Sequence, residues 1–297
     1  MARPHHLPSP GFAAHLETLY RQFPMARSLA QDPLSGVRAQ PGDRRHAEIA
    51  GIFASTLAVG TTASIRRAFA DLVDRAGGDL ADAVDGMVRP GALDCFAGFR
   101  HRWIRGDQVA YLAYRLHAIY AGPGSLEAVF AGGWAGPDRF AGGLDALARS
   151  LRGPPRGRPA APPGYDRLFP SPLAGARSPC KRLTLFVRWM VRSGFPDLGV
   201  WSSVPAAELR IPLDQHVYWI AYHLGLTQRR SRTWATVEEI SSALRAIDPD
   251  DPIKYDFVLC HTGISGDCPK RRDLSVCAPC AVRPDCRLWR GGRGAAG

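Results

Sequence analysis

Four cysteines near the end of the chain, Cys268-x8-Cys277-x2-Cys280-x5-Cys286, restrict its possible folds more than any other feature. Four thiolates within nineteen residues, two of them in a C-x2-C turn, can converge on one tetrahedral metal ion or on one cubane cluster. The other three cysteines are Cys95, Cys180 and Cys260, and Cys260 lies close enough in sequence to replace Cys268 as first ligand. A disulfide framework suits a small secreted domain, whereas a chain of 297 residues, 45% of them apolar, has enough material for a core without staples. Four-cysteine zinc sites usually pair two C-x2-C knuckles; this segment has one and closes on C-x5-C. Both metals stay open on spacing alone.

Most of the remaining chain reads as helix, because alternating β-branched runs are nearly absent. Apolar residues recur at helical spacing over 12–23, 46–59 and 63–73, the last with Ile65, Phe69 and Leu72 on one face. Helices are expected over 107–120 and 125–131, capped by Asp107 and Ser125, and over 178–192, entered through Ser178 and Pro179. Further helices are expected from His216 to Leu224, over 237–246 with a Thr236/Glu239 capping box, and from Asp251-Pro252 to about His261. Residues 153–164 hold five prolines and form a loop. The sum is an all-α chain of roughly ten helices.

The formal net charge of +11 favours a polyanionic partner, although a genome that encodes Arg freely produces the same excess. No apolar run is long enough to span a membrane, so no membrane partner is expected. The N-terminal MARPHHLPSPGF lacks the layout of a signal peptide. These features lead us to expect a cytoplasmic monomer, nucleoid-associated in a bacterium.

Two motifs carry a resemblance. Ile211-Pro212-Leu213-Asp214-Gln215-His216-Val217, continuing to His223-Leu224-Gly225-Leu226, resembles the V-D-T-H-V…R-L-G-L segment of helix-hairpin-helix (HhH-GPD, endonuclease III-like) DNA glycosylases. Leu259 to Cys268, with His261 and Gly263, resembles the His-Gly element that precedes the C-x6-C-x2-C-x5-C iron–sulfur loop of the endonuclease III and adenine-glycosylase families. Here the first gap is two residues longer, and Thr262 separates His261 from Gly263. KRL-x3-VRWMVR (181–192), DLGVW (197–201), IPLD-x-H and DP-x-KYDF (251–257) also look like an uncharacterised bacterial family related to archaeal 8-oxoguanine DNA glycosylase, over about residues 10–286.

The resemblance implies a 4Fe-4S cluster on Cys268, Cys277, Cys280 and Cys286, with zinc as the alternative. Asp214 matches the essential Asp of the superfamily. A carboxylate there stabilises positive charge on the sugar as an N-glycosidic bond breaks, or activates the attacking group. Capping of its own helix is the structural alternative. Bifunctional members add a Lys that forms a Schiff base, in an L-P-G-V-G-x-K-T hairpin absent from this chain. The nearest match is the degenerate hairpin 173–181, which leads to Lys181, 33 residues before Asp214. That longer separation resembles the archaeal branch. The start of a helix beside Arg182 suits an amine nucleophile, and equally a phosphate site.

Further DNA contacts are expected from Lys270, Arg271 and Arg272 in the widened cysteine gap, and from Arg182 and His216. Thr61 and Thr62 stand where the family places a turn that wedges the gap left by a flipped base. Phe186, Trp189, Trp201 and Trp219 fit either a base pocket or ordinary core. The expected architecture is a two-lobed helix-hairpin-helix glycosylase fold. Residues 42–200 form a helical barrel, and the helix in 1–41 packs with a lobe of 201–297 that carries Asp214 and the cluster. Lys181 and Asp214 face each other across a cleft. The expected partner is double-stranded DNA with a damaged base, an oxidised purine such as 8-oxoguanine being favoured; the expected reaction is excision of that base, with possible β-lyase activity. The competing readings are a catalytically silent damage sensor on the same scaffold and a zinc-bearing nucleic-acid-binding module.

Overall fold

The computed structural model describes residues 9–40, 42–88, 91–136, 138–154, 159–173 and 177–290. The described residues are mostly helical, and their only sheet is a two-stranded antiparallel hairpin, Arg100–His101 with Ile104–Arg105. No described helix is long and apolar enough to cross a membrane. The chain divides into two compact units.

The larger unit comprises 26–175 and 182–205. Its core forms because the helices Arg44–Thr56, Thr62–Arg75, Gly106–Ala121, Arg139–Arg152 and Lys181–Val191 each bury one apolar stripe. Ile49, Phe53, Leu116, Leu144 and Phe186 are fully or almost fully buried. Two carboxylates are locked into this core. Glu48 accepts from Tyr120 Oη (2.7 Å), Trp201 Nε1 (2.7 Å) and Leu126 N (2.9 Å). Asp197 pairs with Arg188 (2.8 Å) and Arg192 (3.1 Å), all three side chains buried.

The smaller unit comprises 1–25, 176–181 and 206–297. Its first helix, Phe12–Gln22, is bound to C-terminal segments of the same unit. Tyr20 meets Tyr255 edge-on at 5.8 Å, and Phe23 meets Phe257 at 6.4 Å. Lys254 Nζ lies 3.1 Å from Glu17 and 2.7 Å from Asp248. The buried carboxylate of Asp285 accepts from Ser9 and pairs with His15 at 2.7 Å.

Several local expectations need correcting. Residues 26–41 group with the larger unit, because Leu34 and Val37 of the short Leu34–Arg38 helix are buried there. The 178–192 helix starts at Lys181: Cys180 takes a positive φ of 51°, and the Ser178 hydroxyl accepts from Cys180 N instead of capping the helix. Arg105, not Asp107, precedes the Gly106–Ala121 helix, and Asp107 falls in its first turn. Thr233 precedes the Trp234–Arg245 helix, while Thr236 is buried and donates its hydroxyl to the Ser231 carbonyl. The last long helix runs Asp256–Ile264, beginning later than Asp251.

Candidate functional site

Asp214 follows the buried segment Ile211–Leu213 and caps the Gln215–His223 helix, its Oδ1 accepting from Val217 N at 2.8 Å. The cap consumes one oxygen only. Oδ2 lies 3.7 Å from Lys181 Nζ and 3.5 Å from the Cys260 thiol, which donates to it. The Asp214 side chain is 14% exposed and that of Lys181 29%, so a reacting group can reach the pair. Both residues belong to the smaller unit, where the sequence reading had set them on opposite lobes.

Gly263 explains how Cys260 reaches this carboxylate. A Cβ on Gly263 would stand 2.8 Å from His216 Cβ and 2.9 Å from its Nδ1, closer than packed carbons tolerate. The missing side chain lets the Asp256–Ile264 helix lie close against Gln215–His223. Cys260, one turn earlier on the same face, is thereby brought against Asp214. His216, expected to touch DNA, instead packs under Gly263, its Nδ1 buried and without a hydrogen-bond partner among the described residues.

The other expected contacts divide. Thr61 caps the Thr62–Arg75 helix through a 3.3 Å bond from Ser64 N, so its hydroxyl is already engaged; Thr62 is the first residue of that helix. Arg182 lies in the larger unit, its guanidinium 5.0 Å over the Trp103 ring and 3.5 Å from the Leu168 carbonyl. Burial pushes that guanidinium down to about 10, and its Nε has no partner among the described residues. Arg182 is thus largely committed to protein. Arg271 and Arg272 are exposed and Lys270 half-buried; Lys270 turns the loop at a φ of 60°. Arg272 and Arg283 both lie over the Trp289 ring, at 5.0 and 5.1 Å. Of the nine residues of the hairpin at 173–181, three, 174–176, lie outside the described residues.

Cys268, Cys277, Cys280 and Cys286 line a single cavity of about 50 Å³. Cys260 is not among its lining residues, which settles its place beside Asp214. Burial pushes the thiols of Cys268 and Cys280 up, and the neighbouring cysteines add to the rise. Thr262 also lines the cavity, and its buried hydroxyl has no partner among the described residues. Donors of this kind, four thiols and one orphaned hydroxyl around a hollow, fit a bound cluster. Among the described residues no three His, Cys, Asp or Glu side chains converge closely enough to hold a single ion.

Of the four aromatics near the motifs, Phe186, Trp189 and Trp201 are core, and Trp219 is 38% exposed. Trp219 stacks on the His223 ring at 5.9 Å and 19°, and Arg287 lies 5.1 Å over the Tyr222 ring. Burial, then Arg287, pushes His223 below its ordinary value. The Cys260–Asp214 contact escaped sequence reasoning because it depends on how closely two helices approach. Only Gly263 hinted at it.

No curated protein and no solved structure matches the chain. A family model described as a protein of unknown function (DUF2400) matches residues 32–265, a span that takes in Lys181, Asp214 and Cys260 and ends before Cys268; the chain belongs to that family.

Proposed function

We propose that this chain is a DNA glycosylase of the helix-hairpin-helix type that excises a damaged base, with an oxidised purine such as 8-oxoguanine as the favoured substrate. The observation that carries the reading is the 3.7 Å approach of Lys181 Nζ to Asp214 Oδ2 at the starts of two helices. An amine and a carboxylate so placed suit attack on an N-glycosidic carbon. Lys181, once its proton has passed to Asp214 or to water, attacks C1′ of the flipped nucleotide. A C1′–N bond to the lysine forms as the bond to the base breaks, and the base leaves with a proton. Asp214 balances the positive charge that develops on the sugar. Breaking of the C1′–O4′ bond, with a proton passing to O4′, then opens the sugar ring to a Schiff base, which permits β-elimination of the 3′ phosphate.

Cys268, Cys277, Cys280 and Cys286 would hold a 4Fe-4S cluster, whose role when bound is to brace the Lys270–Arg272 loop. The four thiols surround a cavity, which supports a multi-iron group over zinc. The net charge of +11 and the exposed Arg271 and Arg272 support a DNA backbone as partner.

The test is borohydride trapping and base release on duplexes carrying a panel of lesions. A covalent adduct is expected with the wild type and none with Lys181→Ala. Asp214→Asn is expected to slow base release by about 10²–10⁴-fold. DNA binding without release of any base, or an adduct that persists in Lys181→Ala, would overturn the reading. Iron and sulfide analysis of the purified protein tests the cluster, and stoichiometric zinc would overturn it.

A further inference from the structure

The Gln215–His223 helix carries Asp214 at its start, and farther along it presents an aromatic face that the proposed chemistry does not use. Its apolar residues Val217, Ile220 and Ala221 are buried, as an amphipathic helix requires. Trp219 is the exception. Its ring is 38% exposed, backed on one side by the nearly parallel ring of His223 and flanked by Tyr218 (5.5 Å) and Tyr222 (6.4 Å).

Positive charge frames this face on two sides. Arg287 covers Tyr222 at 5.1 Å. On the other side, Tyr218 donates its hydroxyl to the Arg229 carbonyl at 3.0 Å, which ties the exposed segment Gln228–Arg232 to the residue next to Trp219. Arg229 is paired with Glu239 at 2.8 Å. Arg230 and Arg232 have no ion pair among the described residues, so their charge is available to a ligand. A flat exposed ring, with exposed guanidinium groups on the segment tied to its neighbour Tyr218, complements a ligand that carries both π faces and phosphates, namely a nucleic-acid strand. Within a duplex both faces of a base are already stacked, so a protein ring can take up only a base that is unpaired.

We propose that the exposed face of the Gln215–His223 helix is a stacking platform for an unpaired base, with Trp219 as the receiving ring and Arg230 and Arg232 as phosphate contacts. The proposal rests on the DNA reading above for the class of ligand only, and gives the helix that Asp214 caps a second function, capture of single-stranded nucleic acid.

The test is fluorescence anisotropy of the full-length protein, as purified, with a labelled single-stranded oligonucleotide of mixed sequence. Trp219→Ala is expected to weaken binding by about 10-fold, and Trp219→Phe to restore most of it, because one stacked ring is what changes. Arg230→Ala and Arg232→Ala are each expected to reduce the slope of log affinity against log salt by about 0.7. If Trp219→Ala fails to fold, the salt slopes of the two arginine variants decide. Wild-type affinity in Trp219→Ala, or unchanged slopes in both arginine variants, overturns the platform. Trp219-dependent binding without base release from any lesion would overturn the glycosylase reading and leave the platform standing. Base release with wild-type binding in Trp219→Ala would do the reverse.

Discussion

Asp197 lies between Arg188 and Arg192, with all three side chains buried, so each charge depends on the others for its solvation. Asp197→Asn leaves two guanidinium groups against a neutral amide, and a loss of about 3–5 kcal/mol in urea-unfolding free energy is expected. Gly263→Ala tests a different residue-scale constraint. The added methyl must displace His216 and open the contact between two helices, so both stability and the Asp214 geometry are expected to suffer. The expected cost is about 1–3 kcal/mol by thermal melting, accompanied by loss of base release. At this scale Asp214 was legible because a motif surrounds it, and the four cysteines because their spacing is itself chemical. The partners of Asp214 were less so. Cys260 reads equally well as a metal ligand until a helix crossing places it, and Trp219 reads as core until the neighbouring faces are known.

Between the Phe12–Gln22 helix and the DP-x-KYDF segment, a small ion cluster accompanies the aromatic contacts. Burial acts to raise the Asp248 and Glu17 carboxyls, but hydrogen bonds outweigh it, those from Lys254 prominent among them, and both carboxyls are held below their ordinary values. Burial acts to lower the Lys254 ammonium, but hydrogen bonds to Asp248 and Glu17 outweigh it and hold it above its ordinary range. A depressed carboxyl contributes stability above its unfolded value and loses it as pH falls through the folded one; a raised lysine contributes below its unfolded value and loses it only in strong base. The melting temperature is therefore expected to fall below about pH 4, and Lys254→Met to flatten that acid limb. Helices with a clean apolar period, such as Phe12–Gln22 and Thr62–Arg75, were legible from spacing. The Arg139–Arg152 helix was harder to read, because Gly142 and Gly143 interrupt it with residues of poor helix propensity. Those glycines are needed for contact: a Cβ on Gly143 would stand 2.6 Å from the Phe130 ring. Cap assignments shifted for a similar reason, since Thr236 sits in the core, where burial engages its hydroxyl locally.

For the molecule as a whole, the charge of +11 bears on how the proposed affinity for DNA should respond to salt. If Lys270, Arg271, Arg272, Arg230 and Arg232 each neutralise one phosphate of a duplex, the log–log slope is about −4 to −5. Neutralising Arg271 and Arg272 together is expected to reduce its size by about 2, measured by anisotropy over a salt series. Composition and period made the helical class legible at this scale. The division of the chain was only partly so, because no local signal shows that 26–41 leaves the segment before it and joins the larger unit.

That division affects the order in which the protein can be built. The smaller unit is discontinuous: its first piece ends at residue 25, a short piece returns at 176–181, and the rest begins at 206. During synthesis the larger unit has all its chain by residue 205 and can close on itself. The first helix, with Phe12 and Leu16 seeking a partner, must wait on the ribosome until Tyr255, Phe257 and Asp285 emerge. The cysteine cavity, whose lining extends to Trp289, can close only after them. Truncation before Asp285 should then remove the carboxylate that holds Ser9 and His15, and loosen the start of the N-terminal helix to proteolysis.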